Sequence, residues 1–129
     1  MAEPRMRSPL GRAIGLGSAK EGVSHWWAQR VTAIALVPLT LWFVIAIIAL
    51  AGADRTALVA WISHPLPAVL LMLLLVATFY HSALGLQVVI EDYVENEALK
   101  FGLLIVMKLI SIVLAALGIF AVLKLSFAS

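Results

Sequence analysis

The chain has 129 residues, of which 64% are hydrophobic and only 12% charged, and its formal net charge is +2. A soluble domain of this size cannot bury so much apolar surface, so we expect the bilayer to be its solvent. The sequence contains no cysteine, which excludes disulfides, thiolate ligation of iron–sulfur clusters and thiol catalysis by this chain. The small net charge gives no reason to expect nucleic-acid binding.

Three apolar runs follow one another along the chain, at residues 31–51, 66–90 and 101–127. Each is long enough to cross a hydrocarbon core about 30 Å thick, which takes about 20 helical residues. A turn at residues 51–56 joins the first two runs, and a linker at residues 91–100 joins the last two. We therefore predict an all-α fold of three transmembrane helices.

The basic residues predict how the chain crosses the membrane. Five of them precede the first run, whereas the loop after it has only Arg55; the five are Arg5, Arg7, Arg12, Lys20 and Arg30. The positive-inside rule then places the N-terminus in the cytoplasm. We predict a cytoplasmic N-terminal segment at residues 1–30 and a three-helix anchor domain at residues 31–129, with the second linker also on the cytoplasmic side.

The second helix carries an imidazole in the middle of its apolar run. On an α-helix His81 shares one face with Gly85, Val88 and Asp92, at positions i, i+4, i+7 and i+11. A polar group in hydrocarbon must be bonded, and a glycine one turn away leaves room for a flat macrocycle. The pattern indicates haem with His81 as an axial ligand to the iron. The alternative is that His81 only hydrogen-bonds a neighbouring helix.

Further candidate residues lie near the predicted cytoplasmic interface. Tyr93 offers a phenolic donor and Asp92 an acceptor beside it, which suits a quinone carbonyl that takes up protons on reduction. Arg30 can pair with a carboxylate such as a haem propionate, or anchor the helix to lipid phosphate. His25 is a second candidate propionate partner or proton donor, or a solvated interfacial residue. Lys108 either extends to the interface or faces the helix bundle.

These motifs resemble a known family. The residues that carry the resemblance are His81-x-x-x-Gly85, Val88 and Asp92-Tyr93-Val94, together with the segment GVSHWWAQRVTA at residues 22–33. In this order and spacing they are similar to the small hydrophobic membrane-anchor subunit of bacterial succinate dehydrogenase (respiratory complex II). The resemblance covers roughly residues 20–127.

The resemblance implies a specific assembly. The three helices would pack with those of a second anchor, the cytochrome b subunit, around one haem b. His81 would be one axial ligand of the haem iron, the partner anchor supplying the other, and Arg30 would lie near the propionates. Tyr93 would hydrogen-bond the ubiquinone carbonyl, with Asp92 as its neighbour. An iron–sulfur subunit and a flavoprotein subunit would complete the complex.

The implied function is electron transfer from succinate oxidation to ubiquinone, linking the tricarboxylic acid cycle to the respiratory chain. The chain would be a multi-pass protein of the bacterial inner (cytoplasmic) membrane and would not be catalytic alone. Two alternatives remain open at this point. One is a fumarate reductase-type anchor that works with menaquinol in the reverse direction. The other is a small transporter or a structural scaffold without haem.

Overall fold

The computed structural model of the chain describes residues 18–128, with side chains from residue 22 onward. This part folds into four helices and contains no strand: α1 Ser18–Ala49, α2 Arg55–Ile62, α3 Pro65–Tyr93 and α4 Glu97–Ser126. The three long helices are each apolar and long enough to cross a membrane. The predicted all-α fold with three spans is therefore confirmed. The basic residues Arg5, Arg7 and Arg12 lie outside the described residues.

The first helix begins well before its apolar run. It starts at Ser18 and ends at Ala49, whereas hydropathy alone marked residues 31–51. Residues 18–30 contain no proline, so nothing in them breaks the helix before the apolar residues begin. Pro38 lies inside α1 and the helix continues through it, at the cost of one backbone hydrogen bond because proline has no N–H.

A short helix that was not predicted from the sequence follows the first turn. Gly52 reverses the chain with a φ of 82°, a left-handed conformation that glycine adopts without steric cost. Asp54 then caps α2 by accepting a 2.8 Å hydrogen bond from the Ala57 amide. Trp61 of α2 stacks on Trp42 of α1, with ring centroids 5.9 Å apart. The helix has only eight residues, too few for a periodic pattern to stand out from the neighbouring apolar runs.

Local sequence signals mark where α3 and α4 begin. Pro65 occupies the first turn of α3, where its missing N–H has no helical partner to lose. The helix runs to Tyr93, so the predicted linker at residues 91–100 shrinks to the three residues 94–96. Asn96 caps α4 by accepting a 3.0 Å hydrogen bond from the Leu99 amide. Asp92 and Tyr93 therefore lie in the last helical turn and not in a loop.

The helix α3 is the centre of the described structure. It packs against α1 on one side and α4 on another, while α1 and α4 do not pack on each other within the described residues. A side chain at Gly118 of α4 would meet the end of Leu75 at 3.0 Å, so the glycine permits this close approach. Few side chains are buried, namely Val59, Ile62, Ala68, Ala77, Leu84 and Val122. The large exposed apolar surface is what lipid or a second membrane subunit covers.

Candidate functional site

The imidazole of His81 is half-buried on α3 and bonds to the neighbouring helix. Its Nδ1 lies 2.9 Å from the Thr32 hydroxyl of α1. The same hydroxyl lies 2.8 Å from the Ala28 carbonyl and 3.0 Å from the Gln29 carbonyl of its own helix. Among the described residues this is the one side-chain hydrogen bond that joins two of the long helices. One of the two ring nitrogens of His81 therefore hydrogen-bonds a neighbouring helix, as the alternative to haem ligation predicted. The other nitrogen, Nε2, has no such bond in the described residues.

The face of α3 beyond His81 is open. A Cβ placed on Gly85 would meet no other side chain or packed backbone within 4 Å, and Val88 and Asp92 on the same face are exposed. An imidazole with one nitrogen engaged inside the chain and clear space one turn away fits the requirements for an axial ligand of a flat macrocycle. The described side chains form no group of three or more potential metal ligands, so the candidate for iron ligation is the single histidine.

Asp92 and Tyr93 end the same helix, at the terminus that the N-terminal charges predict to be cytoplasmic. They lie about 17–18 Å along the helix axis from His81, at ~1.5 Å per residue. Tyr93 is 82% exposed, and neither side chain hydrogen-bonds another described residue. Both groups are therefore available to a molecule or subunit outside this chain, and their predicted quinone role stays a prediction.

The structure does not bring Arg30 to His81. Its guanidinium lies over the Trp26 ring, with Cζ 5.3 Å from the ring centroid, in a cation–π arrangement. Arg30 is two residues before Thr32 on α1. Because each helical residue turns by about 100°, the Arg30 side chain points roughly 160° away from the Thr32 side chain that contacts His81. This position suits the interfacial anchor that the sequence left as the alternative. The propionate contact stays a prediction.

His25 and Lys108 belong to a different surface. Both line a groove of about 790 Å³ between α1 and α4. The α3 residues of the groove follow helical spacing, and they include Val76, Tyr80, Ala83 and Gln87. Since each helical residue turns by about 100°, this face of α3 is rotated roughly 140° about the helix axis from the face that carries His81. The Nε2 atom of His25 is buried and has no hydrogen-bond partner among the described residues. His25 therefore lines the groove, whose lining does not include His81.

Thr32, the hydrogen-bond partner of His81, is the site residue that was missed at the level of sequence. The first apolar run contains two hydroxyl residues, Thr32 and Thr40, and either could have faced α3. Thr32 also falls within the segment at residues 22–33 that carried the family resemblance. Thr32 could therefore have been predicted as a hydrogen-bonding residue, because a hydroxyl near the start of a transmembrane helix needs a partner. Which partner it has depends on how α1 is rotated against α3.

Comparisons with known proteins identify the family of the chain. Residues 4–118 match the model of the family described as succinate dehydrogenase/fumarate reductase transmembrane subunit. A succinate dehydrogenase hydrophobic membrane anchor subunit of Rickettsia bellii is 37% identical over 90% of this chain and 93% of its own length. The protein of the same description from Paracoccus denitrificans is 34% identical over 78% of each chain.

A more distant relative is a succinate dehydrogenase membrane anchor subunit of Reclinomonas americana, 27% identical over 72% of this chain and 80% of its own. No solved structure matches the chain. The family match covers most of the sequence, including both motif-bearing helices, so the resemblance carried by the motifs is confirmed. The chain belongs to the succinate dehydrogenase/fumarate reductase transmembrane subunit family, as a membrane anchor of the succinate dehydrogenase type.

Proposed function

We propose that this anchor supplies one ligand to the iron of a haem b and one wall of a ubiquinone site. In the assembled enzyme it would pack against a cytochrome b subunit and hold an iron–sulfur subunit and a flavoprotein subunit at the membrane. Electrons from succinate oxidation would then reach ubiquinone at the membrane boundary, so that the tricarboxylic acid cycle feeds the respiratory chain. The named relatives are described as succinate dehydrogenase anchors, which favours this direction over fumarate reduction.

The observation that carries the haem proposal is the open α3 face. His81 stands at the edge of this face with one ring nitrogen bonded to α1, and the space over Gly85 is free of other groups of the chain. Left to lipid, this face would expose an imidazole to hydrocarbon, which is costly for an unbonded nitrogen. A haem shared with a second subunit satisfies the nitrogen and covers the face at once. When bound, haem supplies a site that accepts and returns one electron.

The residues of this chain have separate tasks in that arrangement. His81 would bind the iron, and Gly85 would leave room for the haem beside the helix. One histidine supplies one ligand, so a second ligand would come from the cytochrome b subunit. Arg30 is retained as a propionate partner only by analogy with the family, because its guanidinium lies over Trp26 on another side of α1.

The proposed quinone contact lies at the end of the same helix. Tyr93 is exposed and able to donate its phenolic proton to a carbonyl oxygen. Asp92 next to it is exposed and able to carry protons from the aqueous side. Reduction of the quinone takes up protons, so a polar pair at the membrane boundary suits this step better than one in the hydrocarbon. The chain's part is to orient the carbonyl and to keep a proton path open.

We also propose that the protein lies in the bacterial inner membrane with a cytoplasmic N-terminus. Three spans put the N-terminal end of α1 and the Asp92–Tyr93 pair on one side of the membrane. The basic residues before the first apolar run outnumber the single Arg55 after it, which favours the cytoplasm for that side. The iron–sulfur and flavoprotein subunits would then dock on the cytoplasmic surface, next to Tyr93.

A matched pair of glycine variants tests the haem proposal. Gly85 and Gly102 are both helical glycines with no atom of the chain in the way of a side chain. In the intact complex Gly85→Leu should shift or abolish the b-type visible spectrum, because the leucine would occupy the space of the macrocycle. Gly102→Leu should leave the spectrum unchanged. His81→Leu should lose or distort the haem signal.

Three results would contradict the haem proposal. They are a complex without haem b, an unchanged haem spectrum in His81→Leu, and equal spectra in the two glycine variants. The alternative of a small transporter is not supported, since the family match identifies a succinate dehydrogenase/fumarate reductase transmembrane subunit.

A further inference from the structure

We infer that Thr32 is a positioning residue that fixes the tautomer of His81, with the ring proton on Nδ1 and Nε2 left to bind the iron. The inference rests on the proposed function, since it concerns how the proposed ligand is presented. It adds a residue on α1 to the proposed ligand site at His81 and Gly85 of α3. The Thr32 hydroxyl contacts His81 and would act on the haem through it.

The direction of the hydrogen bond follows from counting protons. A threonine hydroxyl has one proton to donate and two lone pairs that accept. Here the oxygen lies within hydrogen-bond distance of two helix carbonyls and one ring nitrogen, at 2.8, 3.0 and 2.9 Å. Threonine within a helix commonly donates to the carbonyl four residues back, which is the nearest of the three, that of Ala28.

Once the hydroxyl proton points at its own helix, the oxygen can only accept from His81. The Nδ1 atom must then carry the ring proton, and a neutral imidazole has one N–H. The Nε2 atom is left with its lone pair free. The opposite direction, with Thr32 donating to Nδ1, would put the proton on Nε2 and block it as a ligand. One hydroxyl orientation therefore decides whether the histidine can bind metal.

Thr32 is well suited to hold this orientation. It is half-buried, and its branched side chain has few allowed rotamers in a helix. A histidine that binds a metal is generally fixed by a hydrogen bond from its other nitrogen, which also raises the basicity of the ligand. A more basic ligand stabilises the ferric over the ferrous haem. Loss of the hydroxyl should therefore raise the midpoint potential of the haem and weaken its retention.

The test compares three threonine variants in the intact complex from native membranes. Thr32→Val removes the hydroxyl at nearly constant shape, Thr32→Ser keeps it, and Thr40→Val makes the same change at an exposed site on the same helix. The readouts are haem content per complex, the redox titration of the b-type band and the electron paramagnetic resonance spectrum of the ferric haem. Thr32→Ala is the second variant should Thr32→Val fail to assemble.

We expect Thr32→Val to weaken haem retention about 10- to 100-fold, the range typical of lost outer-shell partners of metal ligands. We also expect a higher midpoint potential and a changed ferric spectrum. A tenfold change in the ratio of ferric to ferrous affinity equals about 59 mV for one electron. Thr32→Ser and Thr40→Val should both match the wild type.

Two results would overturn the inference while leaving the proposed function intact. One is a Thr32→Val complex whose haem has the same midpoint potential and ferric spectrum as the haem of Thr40→Val, while His81→Leu does lose the haem. The other is a Thr32→Ser complex as altered as Thr32→Val, because serine keeps the hydroxyl to which the inference assigns the effect. If His81→Leu leaves the haem unchanged, the proposed ligation fails and the positioning role fails with it.

Discussion

Removing the phenolic oxygen of Tyr93 is the sharpest test of the proposed quinone contact. The side chain is 82% exposed and has no hydrogen-bond partner among the described residues, so Tyr93→Phe leaves the fold of this chain unaffected. The whole effect should fall on the ligand. Loss of one neutral hydrogen bond is worth about 0.5–1.5 kcal/mol, which corresponds to about a 2- to 13-fold rise in the KM for ubiquinone. A residue that also transfers a proton contributes about 10²–10⁴-fold to kcat.

The assay measures succinate:ubiquinone reductase activity beside succinate oxidation by an artificial acceptor in the same preparation. Tyr93→Phe should lower the first and leave the second and the haem spectrum at wild-type values. Tyr80→Phe provides a matched control, because Tyr80 lies on the same helix but lines the groove on another face. Equal ubiquinone reductase activity in Tyr93→Phe and the wild type would refute the assignment. A change in KM alone would limit Tyr93 to orienting the carbonyl.

Three further predictions concern packing, local stability and orientation. Gly118→Val should destabilise the complex by about 1–3 kcal/mol, because even the first added carbon lies 3.0 Å from the end of Leu75; a thermal midpoint equal to the wild type would show that α3 and α4 are not close-packed there. Asp54→Ala should cost about 1 kcal/mol by removing the cap of α2; amide hydrogen exchange should speed up in α2 alone, and a uniform change along the chain would contradict a local role. Because the chain has no cysteine, single cysteines can report the topology. Glu95→Cys should react with an impermeant thiol reagent only from the cytoplasmic side, and Ala53→Cys only from the opposite side. The reverse pattern would contradict the proposed orientation.

The structure places the proposed haem face, the groove with His25 and the proposed quinone contact at different positions on one helix. The His81 face and the groove with His25 lie on different sides of α3, so a partner that covers the proposed haem face leaves the groove uncovered. Asp92 continues the His81 face to the helix end. A single rigid helix thus holds the proposed iron ligand and the proposed quinone donor at a fixed axial distance of about 18 Å, which loops could not do.

The number and type of the membrane elements follow from the order of the amino acids alone. A bilayer leaves an isolated apolar segment little choice but the helix, since every backbone polar group must be bonded within the segment. Helical periodicity then placed His81, Gly85 and Asp92 on one face. The helix boundaries were less well predicted. The helix α1 begins at Ser18 and α4 at Glu97, before their apolar runs begin, because polar residues can also be helical. The eight residues of α2 were hidden between two long runs.

What each helix face meets could be seen only in the packed structure. The rotation of α1 against α3 selected Thr32 over Thr40 as the partner of His81 and placed His25 at the groove. In a soluble protein the boundary between water and core reveals which face of a helix is turned inward. Lipid is as apolar as the packed interior, so hydrophobicity gives no such signal here. The contacts depend instead on close packing at small residues and on single hydrogen bonds, which become visible only when the helices are placed together.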